Sequence, residues 1–474
     1  MRISAPDLAG LQGALAGSVL VPGSPGYESA RTPALARFHH LRPQAIVRCH
    51  NADDVAETLA FARRWGVRVA PRSGGHCFAG RSSTEGIVLD VTPMHAVSVS
   101  GGRATVGAGA RLGDLYDALQ QHEVTIPAGC GPTVGIAGLT LGGGLGILGR
   151  KYGLTCDQLV AARVVLADGR VVDCDQHHHG ELFWALRGAG GGHFGVVTSL
   201  VFSVLPAPAA TRFHLTWPHA HAAAVIAAWQ AWAPDAPDEL NANLMLTAAG
   251  GSDRPPTVHV FGAMLADQAE TVALLDQLVA WSAAEPASAS HTRLPYRDLK
   301  RSLVGLGGAD QDGEPERPGH VFSKSEFFRR PLPPEAITAL LRNLPRGWGA
   351  GQSHALNFTP LGARTTGCPP TRPRTCTATS GSWSSTWPWS TPRPQRPREA
   401  PHGNGWRGRG LACTPGGPGA CTRTSPTLTS RTGPRPTTGP TTSALFASSE
   451  PTTRRTSSGS SSRSDPPVQL RVSC

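Results

Sequence analysis

Two short stretches of this 474-residue chain carry residue types from which chemistry can be built. The first reads Pro71-Arg72-Ser73-Gly74-Gly75-His76, a histidine placed directly after two glycines. Imidazole is a nucleophile near neutral pH, and glycine lets a ligand lie against bare main chain. The second, Pro127 to Leu154, reads PAGCGPTVGIAGLTLGGGLGILGRKYGL and holds ten glycines. So many glycines argue against an ordinary helix or strand, while the interleaved Val134, Ile136, Leu139, Leu141 and Leu145 keep the run in a core. Such a segment gathers backbone N–H groups around something flat, anionic or both. The two stretches together point to a bound nucleotide cofactor.

Other reactive residues lead elsewhere. His177-His178-His179 precede a helix start in a surface loop with no partnering ligand, so no metal site is expected. Ten cysteines without paired spacing read as free thiols, with Cys77, Cys156 and Cys174 as small core residues.

The elements that must position these stretches can be read in order. Ala45-Ile46-Val47 is a short strand, and Asn51 caps a helix running to Trp65 with Gly66 as its stop. Val67 to Ala70 forms a strand leading into the histidine loop. Gly86–Val91 and Ala104–Val106 are further strands, and Leu112–Leu119 a short helix. ARVVLADGRVVDC is a hairpin around Asp168-Gly169. Glu181–Arg187 is helical, and Val196–Val204 a strand. The texture changes near Pro206–Ala210. Beyond it, strands (FHLTW, TVHVFGAML) alternate with amphipathic helices at Ala222–Trp232, Ala266–Trp281 and Pro334–Leu344.

The net charge of +11 is unevenly spread. From Ala363 onward there are fifteen Arg, no Lys and three acids, a balance of 15 − 3 = +12, which leaves about −1 for the rest. This tail is rich in Arg, Pro, Thr, Ser and Gly without hydrophobic period, the composition of a disordered segment. No run of eighteen apolar residues suggests a membrane span. The N-terminus, with one Arg and a glycine-broken apolar stretch, is a poor secretory signal, so a cytoplasmic protein is expected.

With the histidine loop, the glycine stretch and the block ELFWALRGAGGGHFGVVTSLVF in hand, the chain resembles the berberine bridge enzyme-like flavoprotein oxidases. These carry the FAD-binding domain of the vanillyl-alcohol oxidase and p-cresol methylhydroxylase type. The resemblance is dense over about residues 40 to 205 and thinner through Phe322–Ile337. It implies an α+β fold: a two-part FAD-binding domain plus an α+β substrate domain with an antiparallel sheet. The boundaries expected are 1–40 as a lead-in, 41–207 for the FAD-binding domain, 208–362 for an incomplete substrate domain, and 363–474 as a disordered tail.

In that family the histidine of the first motif is bonded to the 8α-methyl of the flavin, which here would be His76. Arg72, Ser73, Gly74, Gly75, Cys77, Gly80, Pro132, Thr133, Val134, Gly138, Gly142, Gly143, Gly144, Gly146 and Val197 are implied to line the FAD. Tight strand packing is the alternative for any single glycine. Many members have a second flavin link through a cysteine whose place falls on Gly131, whereas Cys130 sits one position early. Neighbouring residues of extended chain face opposite sides, so a single link through His76 is favoured and Cys130 reads as a buried free thiol. Val134 falls where oxygen-reactive members tend to carry Val, which favours an oxidase. By the resemblance, a hydride passes from an alcohol or amine carbon of a small molecule to the flavin, and O2 reoxidises it. The catalytic base is left unassigned.

The family closes with Y-Y-G-x-N and Y-D-P-x-N-x-F motifs, and neither is present. Yet codons for Pro436–Ser443, read from each third base, permit YYGPNYE, and those for Glu450–Gly459 permit AYDPTNVFR. A frameshift near Gly362–Thr366 therefore accounts for the tail. Three other readings stand beside the oxidase. One is a flavin-binding protein left catalytically dead by the lost C-terminus. Another is an RNA-binding protein acting through Arg407-Gly408-Arg409-Gly410, against which stands the near-neutral remainder of the chain. The last is an NAD-dependent Rossmann enzyme, whose fingerprint would leave the histidine loop unexplained.

Overall fold

The computed structural model describes residues 3–249, 256–304, 320–328, 330–344, 352–362 and, as backbone, 377–385. All of these belong to one of the two units into which the chain divides, Met1–Gly405 with Arg471–Cys474; the other, Trp406–Leu470, lies outside the described residues.

Its N-terminal half holds two larger sheets and a two-stranded one. The first contains β1 (Ser18–Leu20), β2 (Ala45–Arg48), β3 (Val69–Arg72) and β4 (Ile87–Asp90) in the order β1-β2-β4-β3. β2 and β3 both run parallel to β4, and such pairs need a crossover. The helix Ala52–Trp65 makes the one between β2 and β3. Its start is fixed by Asn51, whose side chain accepts from the Asp54 N–H, and its end by Gly66 at φ +61°. The second sheet contains β5 (Val97–Ser100), β6 (Arg103–Gly107), β8 (Leu159–Val165), β9 (Val171–Asp175) and β10 (Val196–Ser203), ordered β5-β6-β10-β8-β9. The β8–β9 hairpin turns through Gly169 at φ +91°, while Asp168 keeps a negative φ. The short strands β7 (Val124–Thr125) and β11 (Leu205–Pro206) pair with each other.

The C-terminal half is one antiparallel sheet of seven strands: β12 (Ala209–Pro218), β13 (Leu240–Ala249), β14 (Thr257–Met264), β15 (Ser288–Pro295), β16 (His320–Phe328), β17 (Gln352–Pro360) and β18 (Thr377–Ser385). Their order is β15-β12-β14-β13-β17-β18-β16. The alternation of β12 divides its faces. Phe213, Leu215 and Trp217 point into a core closed by the helices Ala222–Trp232, Gln268–Ser282 and Pro334–Asn343. Full burial of a side chain such as Phe213 contributes roughly 1.5–3 kcal/mol. The indole N–H groups of Trp217 and Trp229 are satisfied by the carbonyls of Ala284 and Ala242, both at 2.9 Å.

Three differences from expectation have physical causes. The glycine stretch does contain helix, Ile136–Leu141, because five of those six residues are not glycine. Nine residues of the tail expected to be structureless, 377–385, pair as β18 between β16 and β17; ladder hydrogen bonds come from main chain and are indifferent to side-chain identity. The rest of that tail lies outside the described residues. Finally, the helix Tyr296–Leu303, late in the chain, contributes Tyr296, Leu299 and Leu303 to the N-terminal core, so the expected division at 207/208 is crossed by packing.

Candidate active site

The histidine loop and the glycine stretch, far apart in sequence, meet backbone to backbone. A Cβ on Gly74 would lie 2.6 Å from the Thr133 carbonyl oxygen and 2.9 Å from the Val134 carbonyl carbon; one on Gly135 would strike Ser73. Only glycines allow this approach. Ser73 donates to the Ala108 carbonyl at 2.7 Å, and Gly75, at φ +75°, turns the chain so that half-buried His76 reaches Thr133. Nε2 of His76 and Oγ1 of Thr133 are hydrogen-bonded at 2.9 Å. Burial, with a smaller contribution from the Arg111 guanidinium, lowers the His76 pKa from its usual value. This shift favours the neutral ring, the state in which imidazole is a nucleophile.

The other expected residues fall into groups. Pro132 and Thr133 are exposed beside His76, Val134 and Cys77 are half-buried, and Gly138 has open space where a side chain would stand. Gly143 and Gly144 have φ of +103° and +82°; Gly142, at the C-cap of the Ile136–Leu141 helix, is buried with them. Gly146 packs against the carbonyl of Ala128. Gly80, at φ +72°, faces the Phe38 ring, and neighbouring Arg37 stacks 4.6 Å from the Phe322 ring of β16. Two expected residues present no free side chain here. Arg72 is buried and donates to the carbonyls of Ser82, Ala30 and Arg31 and to Ser83 Oγ. Val197 is buried in the core on β10, in register with Val164 of β8.

Sequence reasoning missed several groups. On β12 and β14, the face opposite the helices carries His214 and His259, whose rings stack at 5.3 Å with Nε2 and Nδ1 3.1 Å apart. Burial lowers both pKa values, that of His259 to about 4. Asn243 and Thr359 share the face, joined by a 2.8 Å hydrogen bond. Arg212 Nε and Asn357 Oδ1 lie there buried with no hydrogen-bond partner among the described residues. Ala210 and Ala263, on the same face, enter the N-terminal core, so this polar surface turns toward the half that bears His76. The alternation in FHLTW and TVHVF was the available signal.

Lys300 and Arg150 cross between the halves in opposite directions. Lys300 reaches the Ala128–Cys130 turn. Arg150, fully buried, donates to the carbonyls of Ala233, Pro234 and Ala236 at 2.9, 3.2 and 2.6 Å. Among the described residues no cluster of His, Cys, Asp or Glu could hold a metal ion, and His178 instead contacts Asp175 at 3.1 Å.

Residues 43–175 match the FAD binding domain family. The uncharacterized FAD-linked oxidoreductase YgaK of Bacillus subtilis (strain 168) is 32% identical over 338 residues, which is 69% of this chain and 71% of that protein. Berberine bridge enzyme-like 7 of Arabidopsis thaliana is 30% identical over 330 residues, 63% of this chain and 59% of its own length. This chain belongs to the berberine bridge enzyme-like FAD-linked oxidoreductases. The crystal structure of 6-hydroxy-D-nicotine oxidase from Arthrobacter nicotinovorans superposes with a TM-score of 0.71 at 26% identity, covering 81% of this chain and 83% of that one. The fold of this family member is accordingly the α+β arrangement of the vanillyl-alcohol oxidase type. No helix among its described residues is long and apolar enough to cross a membrane.

Proposed function

We propose that the chain is an oxidase that carries FAD on a single covalent bond to His76 and oxidises an alcohol or amine carbon of a small molecule, with O2 as final acceptor. The observation that carries this reading is the meeting of the two glycine motifs at the His76–Thr133 hydrogen bond. The residues fit the cofactor: a floor of main chain open at Gly138, an exposed Pro132-Thr133 edge and an imidazole held toward its neutral form suit a flat, anionic dinucleotide with one attachment point. Bound there, FAD would supply hydride acceptance and electron transfer to O2.

The chain's own residues would do the rest. With a hydrogen on Nε2 donated to Thr133 Oγ1, the lone pair of His76 lies on Nδ1, the atom that would form the bond. Backbone N–H groups of the two loops hold negative charge. The polar face with His214, His259, Asn243 and Asn357 would receive the substrate's hydrogen-bonding groups, the buried unpartnered Asn357 Oδ1 among them. Val134 is half-buried at the place where oxygen-reactive members tend to carry Val, which supports O2 as the acceptor.

A denaturing gel tests the bond. Flavin fluorescence should travel with the protein band and disappear in His76→Ala; a dark wild-type band sinks the covalent reading. Chemically reduced holoprotein mixed with air-saturated buffer should recover its flavin absorbance within seconds. Recovery over many minutes would mark a dehydrogenase. A second reading, a flavin-binding but inactive protein, is favoured by the missing closing motifs after Gly362 and follows if the frame stands as given.

A further inference from the structure

Lys300 is a buried cation with no carboxylate paired to it among the described residues. From the helix Tyr296–Leu303 its ammonium donates to the carbonyl of Ala128, to that of Gly129 at 3.1 Å, and to Sγ of Cys130 at 3.8 Å. The rings of Tyr116 and Tyr296 flank it, their centroids 5.0 and 5.2 Å from Nζ. An ammonium has three hydrogens, and three consecutive residues of the turn take all of them. Tyr116 donates to the Gly129 carbonyl as well, at 2.8 Å. Beyond Cys130 the chain presents Gly131, where an added Cβ would lie 2.9 Å from Val134 Cγ2.

The consequence is directional. Turning the Cys130 side chain away from the helix would leave one ammonium N–H unpaired in a buried site, which is costly. We propose that Lys300 is a positioning residue that captures the Cys130 thiol and keeps it off the cofactor side of the turn. The number of flavin bonds is then limited to one by a lysine of the other half of the molecule, although a cysteine lies one residue from the family's second attachment point. The capture stands on geometry alone; its consequence for flavin rests on the function proposed above.

Native-state alkylation of the purified holoprotein with iodoacetamide, mapped cysteine by cysteine, tests the capture. Cys130 should label at least tenfold faster in Lys300→Met than in wild type, with Lys300→Gln, which keeps a donor, in between. Buried Cys49, Cys156 and Cys174 should stay protected in all three. Equal Cys130 rates with those three protected would overturn the proposal. If Lys300→Met exposes the three buried thiols, Lys300→Gln decides by the same comparison; if it exposes them too, Lys300 is only a stability element and the proposal falls. The same digest reads the flavin: wild type should carry its mass on the His76 peptide with Cys130 unmodified, and flavin on both peptides would overturn the proposal. Protein without any flavin would defeat the proposed function and leave the alkylation comparison intact.

Discussion

Nε2 of His76 lies 2.9 Å from Oγ1 of Thr133, and this one hydrogen bond joins the two glycine-rich motifs at their reactive ends. Thr133→Val keeps the side-chain volume and removes the hydroxyl. Losing a neutral hydrogen bond of about 1 kcal/mol should slow flavin attachment about fivefold and leave the melting temperature nearly unchanged. Apoprotein mixed with FAD and sampled over time on a fluorescent denaturing gel measures this. An unchanged rate would mean the threonine does not orient the ring.

The glycines divide into two kinds, and substitution separates them. Gly135→Ala forces a methyl group into Ser73 and the Gly74 backbone, an overpacking that should cost ~3 kcal/mol or more and lower the melting temperature with or without FAD. Gly138 has open space and sits inside a helix, where alanine is favoured by ~1 kcal/mol. Gly138→Ala should therefore leave the apoprotein at least as stable. If the cofactor lies against Gly138, the same change should weaken FAD binding severalfold, read by flavin fluorescence titration. Equal FAD affinity would remove Gly138 from the cofactor floor.

Much of this fold could be read in advance wherever local chemistry decides local structure. Asn51 and Gly66 mark the ends of the helix Ala52–Trp65, and Ala222–Trp232 is helical over the span its periodicity gives. The histidine loop and the glycine stretch were legible because glycines at close backbone approach leave no substitute. Strands β13, β15 and β17 were not, since Leu240–Ala249 and Gln352–Pro360 become strands only by pairing with partners distant in sequence. Lys300 was invisible for a related reason. Its helix has charged residues on either side, and Arg301 does pair with Asp117 at 2.8 Å in the open. Nothing local distinguishes the lysine that is buried.

Stability should depend on acid through buried histidines. Burial pushes His259 and His354 down to about 4 and lowers His214 as well, whereas an unfolded histidine titrates near ~6.5. Below pH 6.5 the unfolded chain takes up protons that the folded chain refuses, so stability is lost as the pH is lowered from about 6.5 to 4 and regained as it is raised across that window. Above it both states are neutral and the contribution vanishes. Each of the two strongly shifted rings contributes at most ~3 kcal/mol. Melting temperatures from pH 4.5 to 7.5 should climb, and His259→Gln should flatten the slope. An unchanged slope in that variant would place the acid sensitivity elsewhere.

The end of β17 locates where the reading frame matters. After Pro360 the chain returns to the N-terminal half, and a Cβ on Gly362 would lie 2.8 Å from Cα of Arg150, itself anchored to the carbonyls of Ala233, Pro234 and Ala236. Gly362 thus packs against Arg150 of the glycine stretch, the motif of the cofactor site proposed here. An Arg-, Pro- and Thr-rich sequence with no tyrosine is poorly suited to cover such a site, whereas the shifted frame permits Tyr-Tyr-Gly-Pro-Asn. Resequencing from codon 350 onward should reveal one inserted or missing base between codons 362 and 366. The frame-corrected protein should melt several degrees higher than the chain as written, because Phe322 and Phe327, exposed on β16, gain cover, and should hold flavin at full occupancy. If the sequence is confirmed without a shift, and the corrected variant is no more stable, the Arg-rich ending is genuine and the inactive flavoprotein becomes the better account of this molecule.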